Sequence, residues 1–109
     1  MGSTRDGLAC AALTAVLAAL PALARAQDAQ ALASQSLAAT CAACHGTQGR
    51  AIAGAAVPGL AGLPAAYLSE QMKGFRSGAR QATVMPQIAK GYSDAQIGQL
   101  AAYFAVQKK

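Results

Sequence analysis

The sequence predicts an all-α protein with about three main helices, and three observations favour this class. Apolar residues recur at intervals of three and four along several segments, which is the period of an amphipathic helix. Glycines and prolines separate those segments and indicate loops between helices. No stretch of the chain shows a convincing alternation of apolar and polar residues, which is the pattern of a half-buried strand.

The N-terminal residues have the pattern of a secretory signal peptide. A short polar opening with Arg5 precedes an apolar run over residues 8–20, and the small residues Ala24 and Ala26 follow it. The run has about 13 residues, whereas a helix needs about 20 to span the hydrocarbon core of a membrane. We therefore expect cleavage of residues 1–26 rather than a membrane anchor.

Cleavage would leave residues 27–109 as one small exported domain in the bacterial periplasm, with no stable membrane span. Cys10 lies in the signal segment and is expected to be removed with it. Residues 27–109 contain seven Lys or Arg and three acids, a net charge of +4 that suits docking to an acidic partner, although solvated lysines that keep the protein soluble explain it equally well. No nucleic-acid motif and no interleaving of basic and aromatic residues is present, so we expect no nucleic-acid binding.

The first helix is predicted from about Ala29 to Cys44. One stripe of this helix would carry four residues: Ala33, Leu37, Cys41 and Cys44. Gly46 and Gly49 are expected to end it, because glycine readily adopts left-handed backbone conformations.

The second and third helices have clearer boundaries. The second is predicted to begin at Pro64 and to end at Gly78, with Leu68, Met72 and Phe75 on its apolar face. The third begins with Ser93 and Gln96 as a capping box. Its buried face would consist of Ile97, Leu100, Ala101 and Phe104. The first and third helices should cross closely through the small residues Ala38, Ala39, Ala101 and Ala102.

A Cys-x-x-Cys-His motif at Cys41, Cys44 and His45 predicts a covalently attached haem. Residues three and four apart share one face of a helical turn, so the two thiols and the imidazole can reach the same ligand. A thioredoxin-like redox motif would need a βαβ context, which the sequence lacks. A zinc site would need a further Cys or His pair, whereas His45 is the only histidine in the chain.

The sixth ligand of the haem iron would decide between an electron carrier and an enzyme. Met72 lies on the apolar stripe of the second helix, where core packing explains it. Met85 lies outside the periodic segments, and Pro86 after it is expected to stiffen a long irregular loop. We therefore expect Met85 to be the ligand, with Lys90 a weaker alternative that would first have to lose a proton.

Pro58 and Leu60 lie in a loop that follows the motif. Histidine ligands usually donate their second ring N–H to a fixed acceptor, and the Pro58 carbonyl could accept it from His45 while Leu60 packs on the porphyrin. A simple turn explains the same residues equally well.

Together, the motif at residues 41–45, the Pro58 to Leu60 segment and the isolated Met85 resemble a class I c-type cytochrome over residues 37–104. The resemblance implies a single-domain cytochrome c fold around one haem c. It also implies the following roles: His45 and Met85 as axial ligands, Cys41 and Cys44 as thioether anchors, and Pro58 as the imidazole acceptor.

Several further segments resemble the cytochrome subunit of flavocytochrome c sulfide dehydrogenase. They are residues 60–64, Tyr67, residues 71–73, Gly78, residues 83–85 and residues 88–92. The resemblance implies a flavin-containing partner subunit that oxidises sulfide and passes electrons to this chain. Some relatives carry two haem domains whereas this chain has one motif, so a bound subunit and a free carrier both remain open.

Two classes of function follow from these observations. The first is a monohaem electron-transfer protein, soluble or docked to a flavoprotein and not catalytic by itself. The second is a haem enzyme or gas sensor, which would require Met85 to be absent from the iron or to dissociate readily. Axial histidine and methionine favour the first class, because a thioether ligand raises the reduction potential and leaves no position open for a substrate.

Overall fold

The protein is described by a computed structural model, which gives the backbone of residues 5–109 and the side chains of residues 21–109. Most of the predicted signal peptide, including Cys10, lies outside the residues whose side chains are described. Over the described backbone the chain forms helices and no strand, which confirms the all-α prediction. The helices are α1 (Arg5–Ala39), α2 (Ala42–His45), α3 (Ala65–Ser77), α4 (Met85–Ala89) and α5 (Asp94–Ala105), with a 3₁₀ turn at Thr47–Gly49.

The chain divides into two units, of which the second, residues 34–109, contains the core. In the first unit, the described side chains of residues 21–33 are all exposed. Among the described residues, no helix has the length and apolar character needed to cross a membrane.

Helix α1 ends five residues before the predicted end at Cys44. The Thr40 hydroxyl donates a hydrogen bond to the Leu37 carbonyl at 2.8 Å, and the Cys41 N–H bonds to the Ala38 carbonyl at 3.0 Å. Both bonds reach back three residues instead of four, which tightens the last turn and ends the helix. The predicted stripe is therefore wrong at its two ends, because Ala33 and Cys44 are exposed.

The core is built by the C-terminal end of α1, by α3 and by α5. Its buried residues are Ala38, Leu68, Leu100, Ala101 and Phe104. The buried face predicted for α5 is confirmed, and Ile97 on that face is completely buried. The predicted capping box is present as well, with the Gln96 N–H bonded to the Ser93 hydroxyl at 3.2 Å.

The close crossing predicted for α1 and α5 rests on four alanines. Of these, Ala38 and Ala101 are buried, whereas Ala39 and Ala102 are exposed.

Helix α3 follows the prediction with one small shift. Pro64 caps the helix instead of occupying its first position, because its ψ of 136° is not helical. Gly78 ends the helix in the left-handed conformation with φ of 82°, as predicted. Leu68 and Phe75 are buried and Met72 is half-buried on the same face.

Helix α4 corrects the sequence analysis. Met85 was expected in a long irregular loop, yet it is the first residue of a five-residue helix with Pro86 in its first turn. The first N–H groups of a helix have no partner within it, so a proline there sacrifices no hydrogen bond, and its fixed φ is already helical. The same residue that would stop a helix elsewhere therefore starts this one.

Candidate haem site

The Cys-x-x-Cys-His motif folds into one helical turn. Cys41 caps α2, and its carbonyl accepts hydrogen bonds from the N–H groups of Cys44 at 3.3 Å and His45 at 3.0 Å. Cys41 is half-buried and Cys44 is exposed, and both are free thiols. The turn therefore offers two sulfur atoms and an imidazole on a short, internally bonded segment.

The two thiols have different surroundings. Burial raises the pKa of the Cys41 thiol, and the nearby Cys44 raises it further, although the Thr40 hydroxyl at 3.8 Å from the Cys41 sulfur acts in the opposite direction. Before haem is attached, the Cys41 thiol therefore stays protonated at neutral pH.

The structure joins His45 directly to the loop that follows the motif. The Nδ1 atom of His45 lies 2.7 Å from the Pro58 carbonyl oxygen. A carbonyl oxygen can only accept, so Nδ1 must carry the proton and donate it. In the neutral ring this leaves the lone pair on Nε2, which is the atom that can ligate a metal.

Gly49 determines where Pro58 can lie. The Gly49 carbonyl accepts hydrogen bonds from the N–H groups of Leu60 at 2.8 Å and Ala61 at 3.1 Å. Its φ is +76°, and a Cβ at this position would lie 2.8 Å from the Phe104 ring and 2.9 Å from the Ala61 nitrogen. From the sequence, Gly49 is predicted only to end a helix. Its more important function is to bring the loop of Pro58 and Leu60 against the core.

Leu60 is half-buried and packs against the core cluster. Its backbone bond to Gly49 fixes it two residues beyond the carbonyl that His45 contacts. Pro58, Leu60 and His45 are thus brought together by backbone hydrogen bonds.

Met85 lies on a separate element, α4, and is half-buried. Within the described residues its sulfur has no hydrogen-bond partner, so the thioether lone pairs are available. Lys90, the weaker candidate, is exposed and donates a hydrogen bond to Gln87 at 3.1 Å. Apolar side chains beside Met85 are exposed, namely Val84 at 57% and Ile88 at 39%.

Two further features around α4 were not predicted. The Tyr92 hydroxyl lies 2.9 Å from the Thr40 hydroxyl, directly before the motif. The Arg80 guanidinium lies 4.5 Å from the centre of the Phe75 ring and also donates to Gln71, which holds the α3–α4 connection against α3. The first joins residues 52 positions apart in the chain, so no periodicity or local motif signals it.

The side chains present fit a covalently bound haem better than the alternatives. Two free thiols, an imidazole whose Nδ1 is bonded so that Nε2 keeps its lone pair, and an unbonded thioether are the donors that a c-type haem requires. Large apolar side chains are also exposed in the segments that follow the motif and that surround Met85, including Ile52 at 82%. Among the described residues, no group of three or more His, Cys, Asp or Glu side chains could hold a zinc ion.

Comparison with known proteins agrees with this chemistry. Residues 26–106 match the cytochrome c family. A thiosulfate dehydrogenase electron acceptor from Thiomonas intermedia is 46% identical over 71 residues, which cover 65% of this chain and 33% of that protein. Cytochrome c-554(548) from Halomonas halodenitrificans is 42% identical over 72 residues, covering 63% of this chain and 86% of that protein.

A third relative is the cytochrome subunit of sulfide dehydrogenase from Chlorobaculum tepidum, which is 37% identical over 65 residues, covering 60% of this chain and 57% of that protein. The chain thus spans less than two thirds of the thiosulfate dehydrogenase electron acceptor and of the sulfide dehydrogenase cytochrome subunit. It spans most of cytochrome c-554(548). Because the family match takes in most of its length, the chain belongs to the cytochrome c family and is a class I c-type cytochrome that carries one covalently bound haem c.

Proposed function

We propose that this cytochrome is an exported electron carrier whose haem is ligated by His45 and Met85, and that it accepts electrons from a dehydrogenase of reduced sulfur compounds. When bound, haem c supplies a one-electron couple between ferric and ferrous iron. In this proposal, residues 1–26 are removed on export and residues 27–109 function in the periplasm. The sequence of the mature N-terminus would test the cleavage site.

The observation that carries the proposal is the hydrogen bond from His45 to Pro58. The 2.7 Å contact between Nδ1 and the carbonyl fixes the tautomer and the orientation of the ring. Nε2 therefore offers its lone pair without any need to lose a proton. Cys41 and Cys44, on the same turn, would hold the cofactor through thioether bonds, and Leu60 would contact its face.

Met85 is the proposed ligand on the other face. Its thioether is unbonded within the described residues, and α4 holds it at the start of a short helix. A thioether ligand favours ferrous iron over ferric iron and so raises the reduction potential. With both axial positions filled by the chain itself, no site is open for a substrate, which suits electron transfer.

The proposed partner is a flavin-containing sulfide dehydrogenase subunit. Two of the relatives are named as an electron acceptor of thiosulfate dehydrogenase and as a cytochrome subunit of sulfide dehydrogenase. A freely diffusing carrier is the second candidate, because the chain covers 86% of cytochrome c-554(548). The positive net charge of the chain suits an acidic partner surface in either case.

The ligand assignment is tested by the optical spectrum of the purified ferric protein. We expect the weak band at the red end of the spectrum that accompanies methionine bound to ferric haem, and we expect no binding of carbon monoxide after reduction. A missing band together with rapid carbon monoxide binding would favour the haem enzyme or gas sensor.

The partner is tested by following reduction of the ferric cytochrome in two reconstituted mixtures. One contains a flavoprotein sulfide dehydrogenase subunit with sulfide, and the other contains a thiosulfate dehydrogenase with thiosulfate. Each substrate alone is the control, because sulfide can reduce a haem without an enzyme. Faster reduction in the first mixture, slowed by added salt, supports the proposal. If the cytochrome is reduced no faster in either mixture than with the substrate alone, the free carrier is the better description.

A further inference from the structure

Tyr92 has polar contacts with three separate elements of the fold. Its N–H bonds to the Ala89 carbonyl at the end of α4 at 3.3 Å. Its carbonyl accepts a hydrogen bond from Arg76 of α3 at 3.1 Å. Its hydroxyl lies 2.9 Å from that of Thr40, where α1 gives way to the haem motif. The side chain is half-buried and packs against the core cluster, which restricts its movement.

The direction of the hydrogen bond between the two hydroxyls follows from counting protons. The Thr40 hydroxyl has one proton, which it donates to the Leu37 carbonyl at 2.8 Å. In the contact with Tyr92 the Thr40 oxygen must therefore accept, and the tyrosine must donate. The two bonds form a directed chain from Tyr92 through Thr40 to the last turn of α1.

This chain connects the two halves of the proposed ligand set. Thr40 is adjacent to Cys41, and α2 carries Cys44 and His45. At the other end, Tyr92 bonds to Ala89, the last residue of α4, and the whole helix from Met85 to Ala89 has only five residues. A helix this short has little stability of its own, so its position depends on tertiary contacts.

We propose that Tyr92 is a positioning residue that holds α4, and Met85 with it, in register with the haem motif: it bonds to Ala89 at the end of α4 and to Thr40 beside the motif. The inference rests on the proposed function, because it takes Met85 as the axial ligand. Loss of the bond to Thr40 would leave α4 free to move away from the motif more often. Methionine would then be displaced more readily by an added ligand, even though Met85 itself is unchanged.

The test uses the full haem-loaded protein and imidazole as the displacing ligand. At saturating imidazole, the rate of binding to the ferric protein reports how often the methionine leaves. We expect Tyr92→Phe to raise this rate about fivefold, the equivalent of about 1 kcal/mol, which is the usual worth of one hydrogen bond. The red-end band should weaken in the same variant.

The controls separate this role from general stability. Tyr103→Phe removes a tyrosine hydroxyl that has no hydrogen bond within the described residues, and it should leave the imidazole rate unchanged. Thr40→Val should raise the rate at least as much as Tyr92→Phe, because it also removes the bond to Leu37, and adding Tyr92→Phe to it should give no further increase. Thr40→Ser keeps the hydroxyl and should behave like the unsubstituted protein. Unfolding by guanidinium, measured on the same set, reports the loss of stability separately.

Two outcomes would overturn the inference in different ways. If the unsubstituted protein lacks the red-end band, Met85 is not the ligand, and the proposed function and the role of Tyr92 both fail. If the band is present and is lost in Met85→Ala, but Tyr92→Phe binds imidazole no faster than Tyr103→Phe, the ligand assignment stands and only the role of Tyr92 fails. Additive effects of Tyr92→Phe and Thr40→Val would also contradict it, because one shared bond cannot be lost twice.

Discussion

The two sides of the proposed haem site are held in different ways. On the His45 side, backbone atoms do most of the positioning: the Gly49 carbonyl holds the loop of Leu60 and Ala61, and the Pro58 carbonyl meets the imidazole. On the Met85 side, a five-residue helix depends on a few single contacts: the Tyr92 N–H bonds to Ala89 at its end, and the Tyr92 hydroxyl bonds to Thr40.

The difference has a physical consequence. Backbone hydrogen bonds within a tight loop leave few alternative conformations, whereas a short helix held by single side-chain contacts can move when one contact is lost. We therefore expect changes on the His45 side to affect whether the protein folds at all. Changes on the Met85 side should alter ligation and local stability while the fold persists.

The largest effect is expected from Gly49→Ala. The new methyl group would meet the Phe104 ring and the Ala61 nitrogen, and the residue would also occupy a positive φ. Strain and overpacking together should lower the free energy of unfolding by about 3 kcal/mol or more. Guanidinium unfolding and the yield of haem-loaded protein would measure it.

Gly54→Ala is a matched control for Gly49→Ala. Gly54 also has a positive φ, of +79°, but a Cβ there would meet no atom within 4 Å. It should therefore show only the backbone strain, about 1 kcal/mol. Equal losses at Gly49 and Gly54 would mean that the close contacts around Gly49 do not constrain the loop.

Replacing the two methionines should separate ligation from packing. Met85→Ala should remove the red-end band, lower the reduction potential and allow carbon monoxide to bind the reduced protein, because no thioether remains on that side. Met72→Ala should leave the band intact and reduce the free energy of unfolding by about 2 kcal/mol, since Met72 is only half-buried. The reverse pattern would show that Met72 is the ligand.

A smaller effect is expected from Ser93→Ala, which removes half of the capping box directly after Tyr92. Loss of the Ser93 hydroxyl leaves the Gln96 N–H without its partner and should lower the free energy of unfolding by about 1 kcal/mol. Ser69→Ala is the control, because the hydroxyl of Ser69 on α3 has no hydrogen bond within the described residues. A loss no greater than that of the control would mean that the start of α5 does not depend on its cap.

These features also show which parts of the structure can be predicted from sequence. Helix α5 was predicted with its capping box and its buried face, because all of its determinants lie within a dozen consecutive residues. Helix α4 was missed, since five residues are too few for a periodic pattern to appear and Pro86 indicates a stop as readily as a start. The break at Thr40 was missed because it is made by local bonds that reach back three residues, one of them from the Thr40 hydroxyl, and the apolar period continues past it.

The candidate site shows the same limit. The residue types and spacing of Cys41, Cys44 and His45 reveal their chemistry without any knowledge of the fold. The bonds of Gly49 to Leu60 and of Tyr92 to Thr40 join residues that are far apart in the chain. Only the folded chain brings such pairs together, so a single sequence without a structure contains no signal for them.

The smallest effect is expected at the ion pair between Asp94 and Arg76, which lies beside Tyr92 on the Met85 side. The hydrogen bond and the positive charge of Arg76 hold the pKa of the Asp94 carboxyl below its usual value. The folded state therefore favours the ionised form, and its contribution to stability is complete above about pH 4, the ordinary pKa of an aspartate. It should disappear as the pH falls through the lower pKa of the folded state.

Asp94→Asn should accordingly lower stability slightly at neutral pH and have a smaller effect near pH 2, and added salt should reduce the difference because the carboxylate is exposed. Unfolding curves of both proteins at neutral pH and near pH 2, each at low and high salt, would measure this. A difference that persisted undiminished in acid would show that Asp94 acts through its position at the start of α5 and not through its charge.

The same variant should leave imidazole binding nearly unchanged, since Arg76 would still bond to the Tyr92 carbonyl. If imidazole bound as fast as in Tyr92→Phe, the ion pair would be part of what holds α4, and the Met85 side would depend on charge as well as on the hydroxyl of Tyr92.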